Sequence, residues 1–376
     1  VSLACPRRPG VRWLASLVAI WLAGCAATLP DSSSRYVEVA GAIRERYEEA
    51  LPTLPAAKQR HYAQRLYRIT GEARYLPLNR AFGRRLVDSL CVEIGHLATP
   101  GYPERRARQI VAAYPERTPK QQRRKRMLAE WGEIAYAKHL AFELTQAHYH
   151  GLLDDTHLSG YRRALDYLGT VDFHAFLVDP DVMEVYAAQV ANLVYYLHDL
   201  GVADLRETVI DAFQRHYPPE RDAHLSRASY RNKIYGMTHF VIAASDYYQK
   251  PVSDEMFDWI LDDFAADLPR ILAETKEDIY TEVGISFLLA GQEAHPVVRR
   301  LRDALLMAYD PGAGMVPAED GGTDLATGEH RNVLAIMLLD WPERLHPGPL
   351  LELSFQERSV AARGGKAASN CGARAF

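Results

Sequence analysis

One pattern limits what this chain can fold into more than any other. Strongly apolar segments of helical period recur, each with a tyrosine near its start: Tyr136, Tyr186, Tyr235 and Tyr280, spaced 50, 49 and 45 residues apart. They read Ile134-Ala-Tyr136, Val185-Tyr186-Ala, Ile234-Tyr235-Gly and Ile279-Tyr280-Thr, and a fifth begins Glu329-His330-Arg331-Asn332, with His330 standing 50 residues beyond Tyr280. Apolar residues fall at i, i+3, i+4 and i+7 and strict two-residue alternation is scarce, which predicts an all-α fold. A turn follows each tyrosine at Gly151, Gly201, Lys250-Pro251 or Gly291, and a more charged amphipathic helix such as Ser253–Phe264 follows the turn. An earlier hairpin over 56–93 has the same plan around Gly71.

The first helix of each unit is apolar over most of its surface, as a helix covered on both sides must be, whereas its partner keeps one wet face. Five to six such hairpins over 53–356 predict a ring with apolar helices inside and amphipathic ones outside. The pattern resembles the α/α toroid shared by six-hairpin glycoside hydrolases, several polysaccharide lyases, terpenoid cyclases and lanthionine synthetase cyclases. That resemblance covers about 56–345 and implies carbohydrate-active chemistry. The competing architecture is an open superhelix: a tetratricopeptide period of about 34 residues does not fit, and a HEAT period of about 40–47 comes closer. Long return loops between hairpins favour the ring. The chain also resembles an uncharacterised family of proteobacterial lipoproteins, which implies no chemistry.

The first 24 residues read as a removable leader. Arg7, Arg8 and Arg12 precede the apolar run Trp13–Leu22, which is too short for a hydrocarbon core of about 30 Å. The run ends Leu22-Ala23-Gly24-Cys25, which resembles the lipobox of bacterial lipoproteins. The resemblance implies acylation at Cys25, attachment to a membrane through that anchor, and a periplasmic location at the outer membrane of a Gram-negative source. Residues 25–52 then form a polar tether and a leading helix. Residues 94–126, with Pro103, Pro115 and Pro119, are expected to hold little order, and their basic run Arg123–Arg126 reads as a solvated helix start. The 357–376 tail is rich in Ala, Gly and Ser and is expected to be mobile. With 48 acidic residues against 44 Lys and Arg, the chain is a poor partner for nucleic acid. Export permits a disulfide between Cys91 and Cys371, but no spacing suggests structural zinc.

If the tyrosines mark one mouth of the ring, the polar residues near them converge there: His139, Gln189, Thr238, His239, Glu282 and the 329–332 cluster. Helix N-termini add a positive field. Three chemistries can be built from this set. Glycoside hydrolysis needs two carboxylates, one protonated and one ionised, from Glu282 with Asp278, Asp320 or Glu329. Polysaccharide elimination needs a base such as Tyr235 or His239, with Arg331 and Asn332 to neutralise a uronate. A metal site could use His239, Glu282 and His330. For an enzyme, the expected catalytic residues are Glu282, His239, Tyr235 and His330. The expected substrate contacts are Arg331, Asn332, Asp320, Glu329, Tyr280, Gln189, Tyr186 and Thr238. A non-catalytic envelope scaffold, its cavity filled by side chains, is the rival. His148 and His150, at the opposite end of their helix, are expected to be surface residues, and Tyr195-Tyr196 and Tyr247-Tyr248, near the turn end, to be packing. No serine-hydrolase, nucleotide-binding or zincin motif is present in a supporting context, so no cofactor is expected.

Overall fold

The computed structural model describes residue 1 and residues 32–353; the lipobox, Cys371 and the 357–376 tail lie outside them. Among the described residues it is all-helical, with sixteen α-helices and no named strand. The first eight are α1 (Ser32–Ala50), α2 (Ala56–Thr70), α3 (Leu76–His96), α4 (Tyr102–Ala112), α5 (Pro119–Glu130), α6 (Ile134–Tyr149), α7 (Tyr161–Thr170) and α8 (Phe173–Val178). The others are α9 (Pro180–Asp199), α10 (Arg206–His216), α11 (Arg227–Ala244), α12 (Asp254–Ala266), α13 (Leu268–Glu274), α14 (Glu277–Leu289), α15 (Pro296–Ala308) and α16 (Leu325–Leu339). No described helix is long and apolar enough to cross a membrane.

The apolar helices are α2, α6, α9, α11, α14 and α16, and their contacts run in a closed circuit. α6 packs on α9, α9 on α11, α11 on α14, α14 on α16 and α16 on α2. The circuit returns from α2 to α6 through Gln64, whose Nε2 donates to Gln146 Oε1 at 3.2 Å and to His150 Nε2 at 3.1 Å. Outside it, α3, α7, α10, α12 and α15 pack on α2, α6, α9, α11 and α14 respectively. α1 covers α16, burying Ile43 and Tyr47 completely, so the leading helix belongs to the packed body.

Local chemistry sets the helix ends. Asp179, Ser226 and Asp324 accept hydrogen bonds from backbone N–H groups in the first turns of α9, α11 and α16. The turn glycines Gly71, Gly151, Gly201 and Gly291 all have positive φ. Two interior glycines let inner helices approach closely: a Cβ on Gly236 would lie 2.7 Å from Ala187 Cβ, and one on Gly284 would lie 2.8 Å from Leu338 Cδ1.

Several expectations need correction. The 94–126 stretch is ordered as α4 and α5, and α5 opens with a capping box in which Thr118 and Gln121 satisfy each other's backbone N–H. The inner helices also begin earlier than the tyrosines: α9 starts at Pro180 and α11 at Arg227, so Tyr186 and Tyr235 lie well inside them. The apolar run of each begins only after an exposed start, Pro180 and Asp181 in α9 and Arg227 and Ala228 in α11, so hydrophobicity marks these helices late. His150 is fully buried, donating from Nδ1 to the Pro349 carbonyl at 2.8 Å. Burial pulls its imidazole down to about 3, so it is neutral.

Residues 341–353 cross the C-terminal ends of the inner helices as a strap. Arg68 Nε donates to the Gly348 carbonyl at 2.9 Å and its Nη1 to the Tyr247 carbonyl at 2.8 Å. The His346 N–H returns a bond to the Arg68 carbonyl at 2.8 Å, and the Leu351 N–H donates to the His150 carbonyl at 3.0 Å.

Candidate functional site

At the opposite end of the circuit, one polar side chain after another faces the axis. From α2 come Lys58, His61 and Arg65, from α6 Lys138, from α9 Gln189 and Asn192, from α11 Tyr235 and His239, from α14 Asp278 and Glu282, and from α16 His330. Solvent reaches this hollow: the His61, His330 and Asp278 side chains keep 17, 26 and 29% of their surface.

Glu282 is the centre. It is 1% exposed, and its Oε2 accepts the Thr238 hydroxyl at 2.8 Å. His239 Nε2 approaches the same oxygen at 3.7 Å, while His330 Nε2 approaches Oε1 at 3.7 Å. The other His330 nitrogen, Nδ1, lies 3.6 Å from Asp278 Oδ2. One imidazole therefore stands between two carboxylates with different environments. Burial pushes Glu282 up to about 7 against the opposing pull of His330 and Thr238. Burial also pushes Asp278 upward, but His330, Lys276 and Arg331 outweigh it and hold Asp278 below the usual carboxylate range. A pair of carboxyl groups split in this way can carry an acid and a base at one pH.

His239 is held by Asn192, whose Oδ1 lies 2.8 Å from Nδ1. An amide oxygen only accepts, so Nδ1 carries the proton and Nε2 keeps its lone pair, without a hydrogen-bond partner among the described residues. Burial, with His330 and Arg65 nearby, pulls His239 down to about 3 and keeps it neutral. The Tyr235 ring meets it edge-on at 4.4 Å. Burial and the carboxylates of Glu282 and Asp278 push the Tyr235 phenol well above its ordinary value, so it stays protonated.

Glu329 is fully buried, with His61 Nδ1 at 2.6 Å and Lys58 Nζ at 3.4 Å. Burial alone would raise it, but these two partners hold it at about 2. The His61 and His330 rings lie 5.3 Å apart, which joins this pair to the Glu282 centre.

The expected set is therefore brought together in part. Glu282, His239, Tyr235, His330 and Thr238 meet. Gln189 and Tyr186 line the same hollow, where Gln189 Oε1 accepts from Arg124 at 3.2 Å. Asn332 is fully buried, and its amide is engaged by the Val316 N–H, the Val316 carbonyl and the Gly328 carbonyl. Arg331 Nε donates to that same Val316 carbonyl at 3.1 Å. These two residues anchor the 309–324 loop. Asp320 is exposed and closes a turn on the Gly322 N–H, while Tyr280 is buried. His139 points away towards Glu143, 3.7 Å distant. Tyr136 is buried outward against Tyr102 and Tyr167, so the repeated tyrosines do not share one mouth. Among the described residues no group of three is arranged to hold a metal ion, because His239 and His330 address different oxygens of Glu282. Cys91 is exposed and free.

Sequence reasoning missed Lys58, His61 and Arg65, although their i, i+3, i+7 spacing forms a basic stripe along one face of an inner helix. It also missed Asn192, a single amide inside Val190-Ala-Asn-Leu-Val194. Arg124, read as solvated, instead turns inwards onto α9.

The class defined by this fold is an all-α protein built from a closed circuit of buried helices with a polar, partly wet hollow at one end. The chain belongs to the family described as a domain of unknown function, DUF3541, whose model matches residues 36–362. No curated protein and no solved structure matches it.

Proposed function

We propose that this is a lipid-anchored envelope protein, attached at Cys25, whose helical circuit is an α/α toroid that breaks glycosidic bonds by acid–base catalysis at its N-terminal mouth. The observation that carries the reading is the pair Asp278 and Glu282, one held ionised and the other near neutrality, on opposite nitrogens of His330. In hydrolysis the leaving oxygen receives a proton while a base removes one from the attacking water. Asp278, ionised and partly exposed, is the base. Glu282 is too enclosed to touch a sugar, so His330 delivers the proton and Glu282 replaces it.

A second reading, elimination, draws on His239 Nε2, which is buried without a hydrogen-bond partner among the described residues and would act only once the pocket opens to a uronate. That nitrogen would take the proton α to a uronate carboxylate as the C–O bond breaks and the double bond forms, and Tyr235 would protonate the departing oxygen. The high Tyr235 value suits it as the acid of such a step and disfavours it as the base.

Glycan and cell-wall fragments incubated with wild type and with Glu282→Gln, followed by mass spectrometry, test both readings. Hydrolysis adds one water to the products, whereas elimination leaves an unsaturated sugar. Turnover by wild type and at least a tenfold loss in Glu282→Gln are expected. No turnover of any fragment, or equal turnover by both proteins, would leave the non-catalytic envelope scaffold as the better reading.

A further inference from the structure

The basic run of α5 is not accounted for by acid–base chemistry at Glu282. Arg124 reaches across to α9, where its Nε donates to the Val185 carbonyl at 3.3 Å and its Nη2 to Gln189 Oε1 at 3.2 Å. Its guanidinium carbon stands 4.9 Å from the centre of the Tyr186 ring, and Lys138 Nζ, from α6, stands 5.4 Å from the same centre. Two cations thus share one aromatic ring, and among the described residues no carboxylate pairs with either. Lys120, one turn earlier on α5, adds a third charge near Arg124. Desolvation and the neighbouring Arg124 pull Lys138 down to about 8. Arg65 is 8% exposed, its guanidinium lies 5.5 Å from the Tyr248 ring, and its Nε has no hydrogen-bond partner among the described residues.

Arg124 and Lys138, held close with no carboxylate beside them among the described residues, cost free energy that an anion would return. The formal net charge of the chain is −4, so this local excess of positive charge runs against the composition. We infer that the hollow contains an anion subsite, walled by Arg124, Lys138 and Lys120 and floored by Arg65, and that its ligand is an acidic glycan. Gln189, half-buried beside Arg124, adds an amide that a sugar hydroxyl can meet. A carboxylate and a sulfate share the chemistry that this subsite recognises. The inference rests on the carbohydrate reading above for the sugar, but not on catalysis.

Calorimetric binding to the full chain tests it, with galacturonate oligomers, their methyl esters and sulfated dextran oligomers of similar length as probes. An acidic oligomer is expected to bind at least tenfold more tightly than the methyl ester, and to weaken as salt rises. Arg124→Gln combined with Lys138→Met should abolish that preference, and Arg124→Lys should retain part of it. Circular dichroism of each variant checks that it is folded. Which acidic oligomer binds identifies the source of the charge. Equal binding of acid and ester, an unchanged preference in the double variant, or no binding of either acidic oligomer would overturn the subsite. Binding without turnover would leave the subsite standing while removing the catalytic reading.

Discussion

Glu282 concentrates the residue-scale physics. Its folded value of about 7 lies above the ordinary 4.5, so the folded protein holds a proton that the unfolded chain releases across that window. Stability contributed by this group is therefore present at low pH and lost as pH rises through about 7. Glutamine imitates the protonated form at every pH. Glu282→Gln should leave the melting temperature unchanged near pH 4 and raise it near pH 8, by an amount equivalent to ~3 kcal/mol. Thermal melts across that range check the sign, and a variant destabilised at the higher pH would contradict the buried, near-neutral carboxyl. Glu282 was legible in the sequence because a lone acid stands inside an apolar helix. His61, the partner of Glu329, was not, since a histidine among Lys, Gln and Arg looks like one more wet residue until α16 is packed against it.

At the scale of elements, the pairing of apolar and amphipathic helices was legible because periodicity reports burial directly. The starts of α9 and α11 were not. Their apolar runs set in only after polar first turns, Pro180-Asp181 in α9 and residues 227–233 in α11, so the capping side chains Asp179 and Ser226 mark the true starts. Close approach of two helices adds a prediction. Alanine normally gains up to about 1 kcal/mol over glycine inside a helix. At Gly284 the atoms in the way are the far ends of Leu338 and Leu301, which can rotate, so Gly284→Ala should be close to neutral. At Gly236 the obstacle is Ala187 Cβ, fixed to its backbone, together with the Phe213 ring at 2.9 Å. Gly236→Ala should force α9 and α11 apart and cost ~1–3 kcal/mol, measured by urea unfolding. An equal effect at both glycines would contradict the packing described.

For the whole molecule, the strap decides how the hollow is bounded. Residues 341–353 bind Arg68, His150 and Gln249, which belong to three different inner segments, so the C-terminal ends are tied together from outside the repeat. Truncation after Asp340 should lower the melting temperature and raise amide exchange at the ends of α2 and α6, leaving α14 less affected. Exchange that rises evenly through all inner helices, or nowhere, would show that the strap does not act as a local clamp. Nothing in the Pro- and Gly-containing 341–353 sequence announces this role, because its bonds come from carbonyls and N–H groups that every residue carries.

By itself the sequence determined that this chain is helical, which helices are buried, and that polar groups such as Glu282, His239 and His330 lie on buried helices. Each of those is a local property: period, burial and residue type along one segment. Only the tertiary structure decided that Asn192 sets the proton on His239, that Lys58 and His61 hold Glu329 ionised, and that Arg124 turns inwards. These contacts join residues from 47 to more than 260 positions apart, and their energies depend on distances that exist only once the circuit of helices has closed.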